Sequence, residues 1–99
     1  MTVLDLLKYT DPVEAQRKAI QYLGKDAVLY TSTNSKKKYS IYDPIKKQFI
    51  NFGAMGYEDF TLSKDDEQRK RYLARATKIK GNWKDNKYSP NNLAINILW

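Results

Sequence analysis

Apolar residues recur along this chain with two different periods, and the changes of period divide it into three stretches. Through residue 23 the spacing is helical. Thr2, followed by Asp5 three residues on and by Val3, Leu4, Leu6 and Leu7, predicts a capped short helix over residues 2–9. A helix that short needs a surface to dock on. Thr10-Asp11-Pro12 is a second start signal, with Asp11 as N-cap, Pro12 at the first helical position and Glu14 completing the box. The helix it opens runs to Leu23, carries Val13, Ala19, Ile20 and Leu23 as an apolar stripe, and stops at Gly24.

From Ala27 the period shortens to two. Residues 27–31 (AVLYT) predict a short strand. Tyr39-Ser40-Ile41-Tyr42 begins a second, with Tyr39 and Ile41 on one face and Ser40 and Tyr42 on the other. Residues 48–52 (QFINF) predict a third, in which Gln48, Ile50 and Phe52 share a side opposite Phe49. The first connection is polar and then basic, Thr33-Asn34-Ser35 followed by Lys36-Lys37-Lys38. The second starts as an Asp43-Pro44 turn with Lys46-Lys47 behind it. Both are too short for parallel crossovers, so the strands form an antiparallel meander. Gly53 and Gly56 bracket the exit from the sheet, and at least one of them is expected at positive φ.

The helical period returns in residues 63–80 (SKDDEQRKRYLARATKIK). Ser63 reads as the N-cap with Asp66 as its acidic partner. Acids lead (Asp65, Asp66, Glu67) and bases follow, an order that complements the helix macrodipole. Tyr72, Leu73, Ala76 and Ile79 form one docking face, and Arg71, Arg75 and Lys78 a basic ridge on another. Gly81 stops this helix, residues 82–87 form a loop holding Trp83, and Ser89-Pro90 restarts a short helix over 91–98. Leu93, Ile97 and Trp99 would point from it to the core. The predicted fold class is α+β: a three-stranded antiparallel sheet with N-terminal helix or helices, a basic helix and a short C-terminal helix. Residues 1–99 are expected to make one domain, with a helical part (1–24) and a part holding the sheet, the basic helix and the C-terminal helix (25–99).

Composition narrows the chemistry more than it widens it. The balance of 41% hydrophobic and 29% charged residues over 99 positions is globular, and suits a single modest core. Eight tyrosines, three phenylalanines and two tryptophans predict that this core is aromatic-rich. The absence of cysteine excludes disulfides, a thiolate nucleophile and cysteine-based zinc sites. The absence of histidine removes the usual neutral-pH general base, the usual metal ligand and every Ser-His arrangement. No apolar run approaches the roughly 18 residues of a membrane span, and the first ten residues lack the early basic region of a secretory signal. The expectation is therefore an intracellular protein with no membrane partner, no metal and no cofactor.

Charge supplies the positive clue. The formal net charge is +7, and residues 63–99 hold nine basic against four acidic residues, or +5 of it. Such a field attracts polyanions. The candidate nucleic-acid-binding residues are Arg69, Lys70, Arg71, Arg75, Lys78 and Lys80 of the basic helix, then Lys84 and Lys87, and Lys36, Lys37 and Lys38 at the hairpin. Each group has an ordinary structural reading too. Helix bases pair with Asp65, Asp66 and Glu67, and hairpin lysines keep a strand edge from pairing with another chain. If both groups lie on one face, they straddle a groove. Tyr39, Tyr42, Phe49 and Phe52 sit where an RNA-recognition sheet places stacking residues, but three strands fall short of its four. Core packing is the simpler account of them, with Tyr42 the best exception. Glu58, Asp59, Asp43 and Asp85 would have to converge to hold a magnesium ion, and Glu58-Asp59 more simply opens a capped segment. No enzyme is expected.

Phe52–Thr61 (FGAMGYEDFT) and Lys64–Trp99 carry a resemblance beyond these patterns. The phrase FG-x-x-G-Y-x-D-[FY]-T, the phrase [KR]-x-[KR]-Y-[LI]-x-R at 69–75, Trp83 and the Leu98-Trp99 pair resemble a small uncharacterised domain family, encoded by large DNA viruses of eukaryotes and by tailed phages. The resemblance spans residues 39–99 and leaves the N-terminal helices outside. It implies a viral origin and a self-contained domain, and brings no established activity or catalytic residue. The expected function is non-enzymatic, viral nucleic-acid binding through the phosphate backbone with little sequence preference, DNA being favoured, in genome organisation or packaging. The alternative is a virion or assembly module whose basic face meets an acidic surface on a viral structural protein. Either reading places the protein in the host cytoplasm, at the viral replication site or in the virion.

Overall fold

Two of the predicted start signals open the structure, a computed structural model that describes residues 2–99. Helix α1 (Val3–Leu7) begins with a reciprocal box: the Thr2 hydroxyl accepts from the Asp5 N–H, and the Asp5 carboxylate accepts from the Thr2 N–H. Helix α2 (Pro12–Leu23) begins at Asp11, whose carboxylate accepts from the N–H groups of Val13 and Glu14. The buried face of α2 differs from the expected stripe. Ala15 and Ala19 are fully buried, whereas Val13 is 81% exposed and Ile20 is exposed as well. Small side chains lie on this face, where α2 packs against the C-terminal segment.

Strands β1 (Tyr30–Thr31), β2 (Lys37–Asp43) and β3 (Gln48–Ala54) form the antiparallel meander, in the order β1-β2-β3. Together with the helices before and after it, the sheet makes an α+β fold. Tyr39 faces Phe52 and Ile41 faces Ile50 across β2 and β3, and this side of the sheet joins Leu6, Leu93, Ile97 and Leu98 in the core. Strand β1 is shorter than its apolar run. The Gln16 side chain on α2 occupies the backbone ahead of it, donating to the Ala27 carbonyl at 2.7 Å and accepting from the Leu29 N–H at 2.8 Å. Those groups are satisfied without a strand partner. The second connection turns where expected, on an Asp43 carboxylate that accepts from Ile45 and Lys46.

Both glycines at the sheet exit have positive φ, 82° at Gly53 and 94° at Gly56. Gly53 is needed for space as well, since a Cβ there would lie 2.7 Å from Leu98 Cδ1. Beyond it the expected single helix over 63–80 is two. Helix α3 (Phe60–Ser63) is capped by Asp59, and α4 (Asp66–Ala76) by Asp65, which accepts from Glu67 and Gln68. Ser63 is therefore not the cap of the basic helix. Its hydroxyl accepts only from the Asp65 N–H, and Lys64 in the left-handed region (φ 53°) separates the two helices. Helix α4 ends at Thr77, whose hydroxyl donates to the Leu73 carbonyl, so Lys78 and Lys80 lie in the chain after it and Gly81 is not its stop. Ile79 is exposed, so no apolar face prolongs the helix.

A 3-10 turn (Trp83–Asp85) leads to α5 (Pro90–Leu93), capped by Ser89, which continues as a π-helical turn (Ala94–Leu98). The wider turn places Leu93, Ala94, Ile97 and Leu98 all against the core. Trp99 is half-buried and stacks on Tyr72 of α4, with ring centroids 4.3 Å apart and planes 11° apart.

Candidate nucleic-acid interface

Three consecutive lysines meet three different fates at the first hairpin. Lys36 is exposed. Lys38 is 2% exposed, and its ammonium donates to Asp59 Oδ2 at 3.1 Å, the Tyr57 carbonyl at 2.7 Å and the Tyr9 carbonyl at 3.3 Å. All three of its donors are used. Lys38 is thus removed from the candidate phosphate contacts: it lies inside the protein, where an ion pair compensates its charge. Burial holds its pKa below the ordinary lysine value, with Asp59 pulling the other way. Asp59 Oδ1 in turn accepts from the Thr61 N–H at 3.0 Å and from the Thr61 hydroxyl.

Lys37 faces a cleft instead. This cleft, of about 640 Å³, opens between α4, the end of the β2–β3 pair and α5. Arg71 and Arg75, one turn apart on α4, line its other side. Tyr72, Leu98 and Trp99 supply apolar surface, and Glu58 the carboxylate of the lining. The two basic segments read from the sequence therefore share one concave site. Helix α4 is held beside it by few attachments. Arg69 Nε donates to the Trp99 main-chain oxygen at 2.7 Å, Asn91 Nδ2 to the Ala76 carbonyl at 3.0 Å, and Tyr72 rests on Trp99. Ala76 is the fully buried residue of α4.

The other candidates lie outside the cleft lining. Arg69 is half-buried, spent on Trp99 and on the Phe60 ring, 5.5 Å from its centroid, so it holds α4 in place. Lys70 pairs with Glu67 at 3.6 Å on the exposed side of α4. Lys84 lies over Trp83 and Lys87 over Tyr22, each exposed, while Lys78 and Lys80 are exposed beyond the end of α4. The carboxylates stay apart. Asp43 caps a turn, Asp59 pairs with Lys38, and Glu58 lines the cleft. Among the described residues no cluster of three or more acidic side chains is placed to hold a metal ion, and no helix is long and apolar enough to cross a membrane.

One feature escaped the sequence reading and a second was legible only in part. Lys18, Lys64 and Arg69 gather around the Phe60 ring, and burial, with Arg69 nearby, lowers the pKa of Lys18. On the outer side of the sheet Tyr30, Tyr42 and Phe49 are 52%, 44% and 56% exposed and meet edge to face. Tyr42 was expected to face outward, and Phe49 lies directly across from it. The period-two pattern placed both opposite the core, whereas Tyr30 joins them only through strand pairing.

A family model described as a family of unknown function (DUF5754) matches residues 27–76. No curated protein and no solved structure matches the chain. The matched stretch runs from just before β1 to the end of α4, so it holds Lys37, Glu58, Arg71 and Arg75 of the cleft, while Trp83 and the Leu98-Trp99 pair lie beyond it. Because the match covers half of the chain, this protein belongs to the family of unknown function DUF5754.

Proposed function

We propose that this protein binds nucleic acid without catalysing a reaction, holding the phosphate backbone at the cleft between α4 and the sheet. The observation that carries the reading is the convergence of Lys37, Arg71 and Arg75 on that one site. Among the described residues none of the three is held in an ion pair, so their charge is free for a ligand. Arginine offers paired donors to a phosphate and lysine a mobile point charge. Such contacts carry no base information, so little sequence preference is expected. The resemblance to a domain of large DNA viruses and tailed phages makes DNA the favoured polymer and genome organisation or packaging the favoured setting. A second reading, assembly on a protein partner, has support from the exposed Tyr30, Tyr42 and Phe49 face.

The test is a titration of random-sequence duplex and single-stranded DNA over a series of salt concentrations. Neutralising about three phosphates gives a slope of roughly −2 to −3 for log K against log salt. Replacing Arg71 or Arg75 by alanine should flatten it by about one unit each, equally for every sequence. Failure to bind either form at low salt would overturn the nucleic-acid reading and promote the protein partner.

A further inference from the structure

We propose that the cleft selects single-stranded nucleic acid, seating a base against the Tyr72–Trp99 stack while Lys37, Arg71 and Arg75 hold the flanking phosphates. This rests on the reading above and narrows it to one form of the polymer. A surface that reads only a duplex backbone needs its cations spread along an open face. Here the cations sit on a concave site of about 640 Å³, within the roughly 300–1,000 Å³ range of small-molecule pockets. A double helix is far too wide to enter it. Besides the cations the lining holds apolar surface, with Leu98, Ala94 and the two stacked rings.

A ligand that uses both halves must carry phosphate and a flat apolar group side by side. A nucleotide does so, and only in a single strand is the face of its base free to leave its neighbours. Stacking on an aromatic ring is sequence-tolerant because every base has such a face. The polar groups of the lining include acceptors as well as cations. Asn91 spends its Nδ2 on the Ala76 carbonyl and keeps its Oδ1 for another donor. Glu58 places a second acceptor in the lining. Acceptors repel phosphate and suit the N–H edge of a base, so each can serve a base while the phosphates go to the cations.

The experiment uses the whole chain carrying Trp83→Phe, which leaves Trp99 as the sole tryptophan reporter. It is titrated at one moderate salt concentration with four probes: oligothymidylate of about ten nucleotides, its ribo counterpart, a random duplex, and an abasic oligomer of the same phosphate count. One or both single-stranded oligomers should bind about ten-fold or more tighter than the duplex and the abasic oligomer, as expected for stacking at even one base. They should also quench Trp99 fluorescence, which the abasic oligomer should not do. Tyr72→Leu should remove the ten-fold preference, read as the ratio of single-strand to abasic affinity within that variant. The abasic comparison needs no further variant, so the proposal stays open to refutation if Tyr72→Leu fails to fold. Equal affinity for single strand, duplex and abasic oligomer would overturn the base pocket and leave backbone binding standing. Binding of polyglutamate with no binding of any nucleic acid would overturn both.

Discussion

Lys38 and Asp59 form a buried ion pair, Nζ to Oδ2 at 3.1 Å, that joins the second strand to the first residue of the segment leading into the basic helix. Its reach is wider than two residues, because Lys38 also donates to the carbonyls of Tyr9 and Tyr57. Three chain segments meet on one ammonium group. Removing either partner leaves the other charge buried and unpaired, at a cost of about 3–5 kcal/mol. Asp59→Ala and Lys38→Met should therefore each bring the protein close to unfolding. Glu58→Gln, on the cleft, should leave stability within roughly 0.5 kcal/mol of the parent. Urea midpoints of the three variants check this, and equal midpoints would show that the pair is not holding the fold.

The hydroxyl chain that ends on Asp59 has one consistent direction. Thr61 Oγ1 accepts from the Asp11 N–H and gives its proton to the carboxylate, so Thr10 donates to Thr61 and Tyr39 donates to Thr10. Tyr39 must then stay protonated, and burial raises its pKa; burial raises those of Tyr22 and Tyr72 too. In the unfolded chain these phenols ionise near pH 10. A raised folded pKa means stability that is complete below that pH and lost as the pH climbs beyond it. Lys38 and Lys18, lowered by burial, act oppositely and only up to the ordinary lysine value of 10.5. Stability should consequently fall above about pH 10.5, with a gentler slope in Tyr39→Phe. Urea midpoints between neutral pH and pH 11.5 would show it, and an unchanged slope in that variant would count against the assignment.

Alanine at the two sheet-exit glycines should separate strain from collision. At Gly56 no atom lies within 4 Å of an added Cβ, so only the positive φ is penalised, about 1 kcal/mol. At Gly53 the same methyl meets Leu98 Cδ1 at 2.7 Å and Lys38 Cβ at 3.3 Å. Its cost should be larger, on the order of 2–4 kcal/mol, once strain and overpacking combine. Melting temperatures should then differ by roughly 5–15 °C. Equal melting temperatures would mean that Leu98 yields freely.

Deleting residues 93–99 should abolish cooperative folding, because Leu93, Ile97 and Leu98 are fully buried and the loss of each such side chain costs about 2–5 kcal/mol. Trp99→Ala is a milder probe. It takes away the ring on which Tyr72 stacks while the core stays filled, so amide exchange in α4 should rise with little change elsewhere. Uniform acceleration across all helices would indicate that Trp99 supports the whole core instead.

Sequence alone determined the elements whose causes are local. Thr2 with Asp5, Asp11 with Pro12, and Ser89 with Pro90 act within one turn of chain, so three helix starts could be read from neighbours. Alternation over Tyr39–Tyr42 and residues 48–52 was enough for the inward face of the sheet, since its period is geometric. The local pattern put the cap of the basic helix at Ser63, whereas the left-handed Lys64 ends one short helix there and leaves Asp65 to cap the next.

Tertiary structure decided the rest, including nearly all of the candidate site. Lys36, Lys37 and Lys38 are identical as letters, and only the approach of Tyr9, Tyr57 and Asp59 buries the third of them. Arg69 and Arg71 also looked alike, until the Trp99 main-chain oxygen claimed one and the cleft received the other. Burial and pairing depend on what arrives from distant parts of the chain. No periodicity encodes that arrival, because the energy of a buried charge is set by the partners that surround it rather than by its neighbours in sequence.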